Sequence, residues 1–251
     1  MLGSLTAILS FDARSIARDQ FLLLVVLIVA TLFGGLSLVG YMREDVGASV
    51  IQPWIPYVLV LAIIADPASC GMVFGVFLIE EMETKVRAAL MITPFPPVLF
   101  LLMRTPLLIL FLTATGLVAG ISLSAAWEVS ELTLFQWFAV SVSGAFIGVP
   151  VMISISTIAS NRIEAMAIGK FYSAFVIPPI LMYLLPSEAW YRMLFLIFPT
   201  APTVHAYEAF REGSDNAAYL WLLLGFVYAA VLTAFSIRRY LRKSYGVVNA
   251  N

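Results

Sequence analysis

Long uncharged stretches dominate the chain. Phe21 to Met42 and Asn216 to Ile237 hold no charged residue, and the stretch enclosed by Glu131 and Arg162 holds none either. Val46 to Ile79 carries one acid, Asp66, and Met91 to Trp127 carries one base, Arg104. Phe171 to Ser187 is shorter, and becomes long enough when it begins near Ala165 and takes in Lys170. A helix needs about 20 apolar residues to cross a hydrocarbon core of roughly 30 Å. The pattern therefore predicts six transmembrane helices, over 21–41, 56–79, 98–120, 133–158, 167–186 and 217–238. The fold class is an all-α polytopic membrane protein, with residues 1–251 forming a single transmembrane domain.

The segments between spans are short, and each adds something. Leu2, Leu5, Leu9 and Ile16 recur at near-helical spacing among Asp12, Arg14, Arg18 and Asp19. Residues 1–20 are thus expected to form an amphipathic helix on the inner membrane surface, the alternative being a frayed terminus, and not a secretory signal, whose positive charge would precede its apolar run. Residues 80–96 form the main loop on the same side. Residues 187–216 form the largest segment on the other side. Within it Met193 to Tyr207 is uncharged but too short to cross, and Pro199 and Pro202 break it, which predicts a re-entrant pair of short helices.

Composition agrees with this reading. The 251 residues are 62% hydrophobic and 12% charged, with a mean hydropathy of +0.99. Soluble domains carry about a quarter charged residues, so a soluble enzyme is excluded, as is a disordered chain. A net charge of −1 leaves no footprint for nucleic acid. Basic residues set the orientation. With both termini cytoplasmic, ten Lys and Arg residues lie inside and three (Arg43, Arg192 and Arg211) outside. All five tryptophans then fall near the outer boundary, as an aromatic belt.

Catalytic signatures are missing from the sequence. Gly169-Lys170 is the nearest approach to a phosphate-binding loop. It has Glu164 in place of the first glycine and Phe171 in place of Ser or Thr. His205 is the one histidine, and Cys70, the one cysteine, reads as a small packing residue. With no carboxylate or cysteine nucleophile identified beside it, His205 reads as a structural donor. Ser141, Ser143, Ser154 and Ser156 along the fourth span are expected to bond across helices or back to the backbone. Gly71–Gly75, Gly116–Gly120 and Gly144–Gly148 permit close helix contact, inside the bundle or with a second chain.

The 80–94 segment reads EEMETKVRAALMITP. Glu81 to Lys85 and Glu83 to Arg87 are i,i+4 pairs with the acid first, which favours a helix that Thr93-Pro94 then stops. A short charged helix pinned between two spans can dock a partner, or can be a solvated connection. Asp66 lies ten residues past Pro56, about 15 Å along a helix and so near mid-membrane. It either lines a translocation path or serves structure, as a cap beside Pro67 or an ion pair with Arg104. Arg104 sits near one end of its span, where its side chain can snorkel to the surface.

A Glu-rich turn, a short helix, Thr-Pro and a new span together resemble the permease subunits of type-2 ABC exporters. The turn Asn161-Arg162-x-Glu164 after the fourth span agrees, as do Pro178 and Pro179 in the fifth and Phe-Pro-Thr-Ala-Pro at 198–202. Asp66-Pro67 with Gly71, Phe74 and Leu90-x-x-Thr93-Pro94 is most similar to the small drug-export branch associated with fluoroquinolone efflux. The resemblance implies a type-2 ABC exporter permease fold with an N-terminal surface helix. It implies a second permease chain, identical or homologous, and two ABC ATPase subunits that carry ATP and Mg. This chain would bind no cofactor and hold no metal or catalytic residue. The resemblance makes residues 80–94 the coupling helix, through Glu80, Glu81, Glu83, Lys85 and Arg87, with Arg162 and Glu164 adding to the contact. Lys85 stands where many relatives carry Gly. It implies a drug-like hydrophobic or amphiphilic substrate moving past Asp66 and Arg104 in the cytoplasmic membrane of a prokaryote. The competing readings are a membrane-embedded lipid-modifying enzyme and a membrane protein that binds partners without transport.

Overall fold

The computed structural model describes residues 20–42, 50–83, 97–129, 132–174, 176–186 and 189–248. The expected surface helix over 1–19 lies outside them, as does the loop 84–96 with Lys85 and Arg87. The described chain is helical: α1 (Gln20–Tyr41), α2 (Ile55–Glu83), α3 (Pro97–Trp127), α4 (Leu134–Ile158), α5 (Arg162–Ala174), α6 (Ile177–Tyr183), α7 (Ala201–Arg211) and α8 (Asp215–Val248). Two 3₁₀ turns, Gln52–Trp54 and Trp190–Ile197, precede α2 and α7. Among the described residues five segments are long and apolar enough to cross a membrane, and Thr31–Tyr41 within α1 is a shorter apolar helix. The chain is a multi-pass membrane protein.

The fifth span differs from the expected continuous helix over 167–186. It starts earlier, at Arg162, and breaks between α5 and α6. Pro178 accounts for the break: it has no N–H to give Ala174, and its ring clashes with the carbonyl four residues back. Other boundaries follow capping chemistry. Thr133 and Gln136 form a capping box at the start of α4, each side chain accepting from the other's backbone N–H. Gly213, at φ +72°, closes α7. There Ser214 N bonds Ala209 O at 2.8 Å and Gly213 N bonds Phe210 O at 3.1 Å, the paired bonds of a glycine-terminated helix.

α4 is the buried axis, packed by α2, α3 and α8. Glycines let α2 and α4 approach. A Cβ on Gly71 would come within 2.6 Å of Gly148 O, and one on Gly144 within 2.6 Å of Ile63 O. Ile63 O is the carbonyl that Pro67 cannot bond within α2. These glycine pairs therefore serve packing inside the chain. In the third pair, Gly120 makes room for the Trp137 ring.

The aromatic-belt expectation needs correction for two tryptophans. Trp54 and Trp190 are exposed, but Trp127 and Trp137 are fully buried. Trp127 Nε1 donates to Leu36 O at 2.9 Å, tying α3 to α1. Trp137 packs 5.7 Å from the Tyr207 ring, tying α4 to α7. An indole buried this way fills core volume and needs one acceptor for its N–H.

The serines follow expectation in three cases of four. Ser143 and Thr203 hydroxyls lie 3.0 Å apart, those of Ser154 and Ser236 2.9 Å apart, and Ser156 donates to Ile153 O at 2.8 Å. Ser141 Oγ has no hydrogen-bond partner and packs against Gly116.

Candidate functional site: a corner, a clasp and a mid-span carboxylate

At the end of the bundle where α2 finishes, three of the singled-out residues meet. Arg162 Nη1 lies 3.5 Å from Glu80 Oε1, and Arg162 N donates to Glu83 Oε1 at 3.0 Å. Asn161 Oδ1 accepts from Glu164 N at 2.9 Å, and Glu164 Oε2 accepts from Ser160 N at 2.7 Å. Glu164 thus holds the turn that opens α5, and Glu83 fixes that turn to the last residue of α2. Both partners of the Arg162–Glu80 pair are about one-third exposed, so the pair itself is worth little. Together with the Glu83 bond it ties the end of α2 to the start of α5. Glu81 occupies the same last turn of α2. Lys85 and Arg87 lie outside the described residues, and with them both i,i+4 pairs.

The opposite end holds a polar cluster that the sequence reading missed. Arg192, in the 3₁₀ turn, is 3% exposed, and its Nη2 donates to both carboxylate oxygens of Glu208 at 2.5 Å. His205 Nδ1 lies 3.5 Å from the same carboxylate, and its ring stacks on Trp221 of α8 at 4.5 Å. His205 is therefore not without a neighbouring acid, since Glu208 follows it by one helical turn in α7. That i,i+3 spacing was the available signal. Arg211 extends the clasp by donating to the Tyr183 hydroxyl of α6.

Asp66 sits between these ends, 3% exposed. Thr115 Oγ1 donates to its Oδ2 at 2.5 Å and Cys70 Sγ to its Oδ1 at 3.2 Å. The ion pair with Arg104 is not formed. Asp66 is level with Thr115, eleven residues further along α3 than Arg104, which is about 16 Å at helical rise. Arg104 does not snorkel to the surface either. It is 1% exposed, with its guanidinium carbon 4.9 Å from the centre of the Phe77 ring. Cys70, read as a packing residue, is a carboxylate partner one helical turn from Asp66. That spacing was legible, whereas Thr115 is 49 residues distant and was not.

Asp66 and its two donors line a cavity of about 490 Å³ between α1, α2 and α3. Phe33, Phe111, Ser37 and Ser122 complete the wall, with Ser37 Oγ donating to Ser122 Oγ at 3.1 Å. Gly34, Ala114 and Val118 at the rim are exposed, so the cavity opens sideways, between helices. A second cavity of about 410 Å³ lies between α4, α5, residues 197–200 and α8, with Arg239 its one charged wall residue. Among the described residues no cluster of three His, Cys, Asp or Glu could hold a metal ion. The arrangement offers an apolar chamber with a single carboxylate in its wall and a rigid corner at one end.

A family model described as Fluoroquinolones export permease protein Rv2686c-like matches residues 12–237, from ahead of α1 to well within α8. No curated protein and no solved structure matches the chain. The all-helical polytopic bundle, and a match spanning nearly all of it, lead to one conclusion: the chain belongs to the Rv2686c-like family of fluoroquinolone export permeases.

Proposed function

We propose that the chain is the membrane-spanning permease subunit of an ATP-driven exporter. It forms the substrate path with a second permease chain, and two separate ABC ATPase subunits supply the energy. The family membership is the observation that carries this reading. One six-span chain offers half of a two-fold path. The excess of Lys and Arg in the loops assigned to the inside supports cytoplasmic termini and the cytoplasmic membrane of a prokaryote. The 187–216 segment re-enters the membrane from outside in this reading, consistent with the burial of α7 against α8. The transported compound is hydrophobic or amphiphilic and drug-like, and Asp66 is the path residue. Arg104, remote from the Asp66 cavity, is a lesser contact nearer the ATPase side.

Coupling runs through the end of α2. Glu80, Glu81 and Glu83, continuing to Lys85 and Arg87, meet the ATPase. The Glu83–Arg162–Glu164 corner passes its movement to α5. Reversing Glu81 and Glu83 together to Lys tests this. Recovery of the partner ABC ATPase should fall in a pull-down, with membrane insertion unchanged, because neither residue lies in the uncharged part of a span. Undiminished recovery with undiminished coupled ATPase activity returns the segment to a solvated connection.

A further inference from the structure

A carboxylate within a membrane span normally faces a cation or a donor network, because leaving it ionised and uncompensated in a low dielectric is costly. Asp66 has donors but, among the described residues, no cationic side chain within ion-pair reach. One donor is a thiol, which is weak. An ionised carboxylate accepts about four hydrogen bonds, and here two are made. The remaining lone pairs border a chamber whose other walls are Phe33, Phe111, Ser37 and Ser122. Aromatic faces beside an acid attract positive charge, through the ring quadrupole and through Coulomb's law together.

The opening points to where the ligand comes from. Gly34, Ala114 and Val118 form its rim, and a Cβ built on Gly34 meets nothing within 4 Å. Thr115 lies eleven residues from Arg104 and twelve from Trp127, so the opening is at mid-span and faces sideways. A ligand entering there is already dissolved in the bilayer. The second cavity makes the contrast: its one charged wall residue is Arg239, which does not select for positive charge.

We propose that the cavity between α1, α2 and α3 binds amphiphilic cations from the bilayer, with Asp66 as counter-ion and Phe33 and Phe111 as the apolar cradle. This rests on the exporter reading for its purpose, and not for the binding itself.

Tetraphenylphosphonium, a permanent lipophilic cation, and N-phenylnaphthylamine, a neutral probe, separate charge from greasiness when titrated against the purified full chain in nanodiscs. Asp66→Asn should weaken tetraphenylphosphonium binding by at least about tenfold and change the neutral probe by less than about twofold, since Coulomb's law acts only on the charged one. Asp66→Glu should recover most of the cation binding. Gly34→Leu, which has room to fold, should reduce binding of both probes by closing the opening. Equal losses for the two probes in Asp66→Asn, or none for the cation, overturn the proposal. So does a Gly34→Leu protein that changes oligomeric mass while binding the cation normally, because a second copy then covers this face. ATP-energised inverted vesicles containing the ATPase partner test the exporter reading separately. Asp66-dependent binding without ATP-dependent uptake would sink that reading and leave the cation site standing.

Discussion

Glu208 and Asp66 are both acids held inside the bundle, and they are compensated in opposite ways. Glu208 receives a buried guanidinium from Arg192 and lies beside the His205 ring, so its charge is answered by the chain itself. Asp66 receives one hydroxyl and one thiol, and its remaining capacity borders a cavity. The first arrangement joins a 3₁₀ turn to α7, and through the stack on Trp221 to α8. The second joins α2 to α3 by a single good hydrogen bond. A carboxylate with a built-in counter-ion holds parts together. One without it is free to answer a charge that arrives from elsewhere.

The largest effect expected from this contrast is at Glu208. Glu208→Gln leaves Arg192 buried without its acid, and breaking such a pair typically costs about 3–5 kcal/mol. A marked fall in the thermal unfolding midpoint of the detergent-purified protein should report it, and adding Arg192→Met should restore most of the loss. If the single variant melts within a degree or two of wild type, the clasp does not hold the α7 region as argued.

Thr115→Val comes next. It removes the stronger donor from Asp66, and stranding a buried acceptor costs about 1–3 kcal/mol. Cys70→Ala should cost less, because a thiol donates weakly. The reverse order, read from the same melting curves, would mean that the Asp66–Thr115 bond is not what anchors the carboxylate.

Smallest of all should be Asp66→Asn. Size and the acceptor facing Thr115 are kept, only the weak thiol bond to the other oxygen is lost as that oxygen becomes an amide NH2, and a desolvated charge is removed, so stability should change by less than about 1 kcal/mol. A loss as large as that of Glu208→Gln, rescued by Arg104→Gln, would make Asp66 a structural ion-pair partner and erase the comparison.

Much of the architecture was legible in the chain. Uncharged runs marked the spans, because a bilayer tolerates few charges at depth and demands a length of about 20 residues. The fifth span was misjudged in form. Pro178 and Pro179 stood in plain view, and their consequence, an end to the helix at Ala174, follows from proline's missing N–H. Tryptophan position along the chain did not reveal which face each indole occupies, and Trp127 and Trp137 turned inward. The acidic end of α2 and the Asn161–Glu164 turn were both visible as motifs, but not that Arg162 joins them, 79 residues from Glu83.

By itself the sequence determined the order of the apolar helices, the place of Asp66 well inside its own helix and the acidic end of α2. Each depends on composition over a window or on distance along a single helix. Only the tertiary structure decided which residues answer the buried charges. Thr115 reaches Asp66 and Arg192 reaches Glu208 through the packing of separate segments, and that packing was set by close contacts such as Gly71 on Gly148 and Gly144 on Ile63. Hydropathy carries no information about which helix stands beside which, because it reports how apolar a span is and not the shape of the face it presents. Neighbours in this bundle are chosen by shape and by the few polar groups that must find a partner.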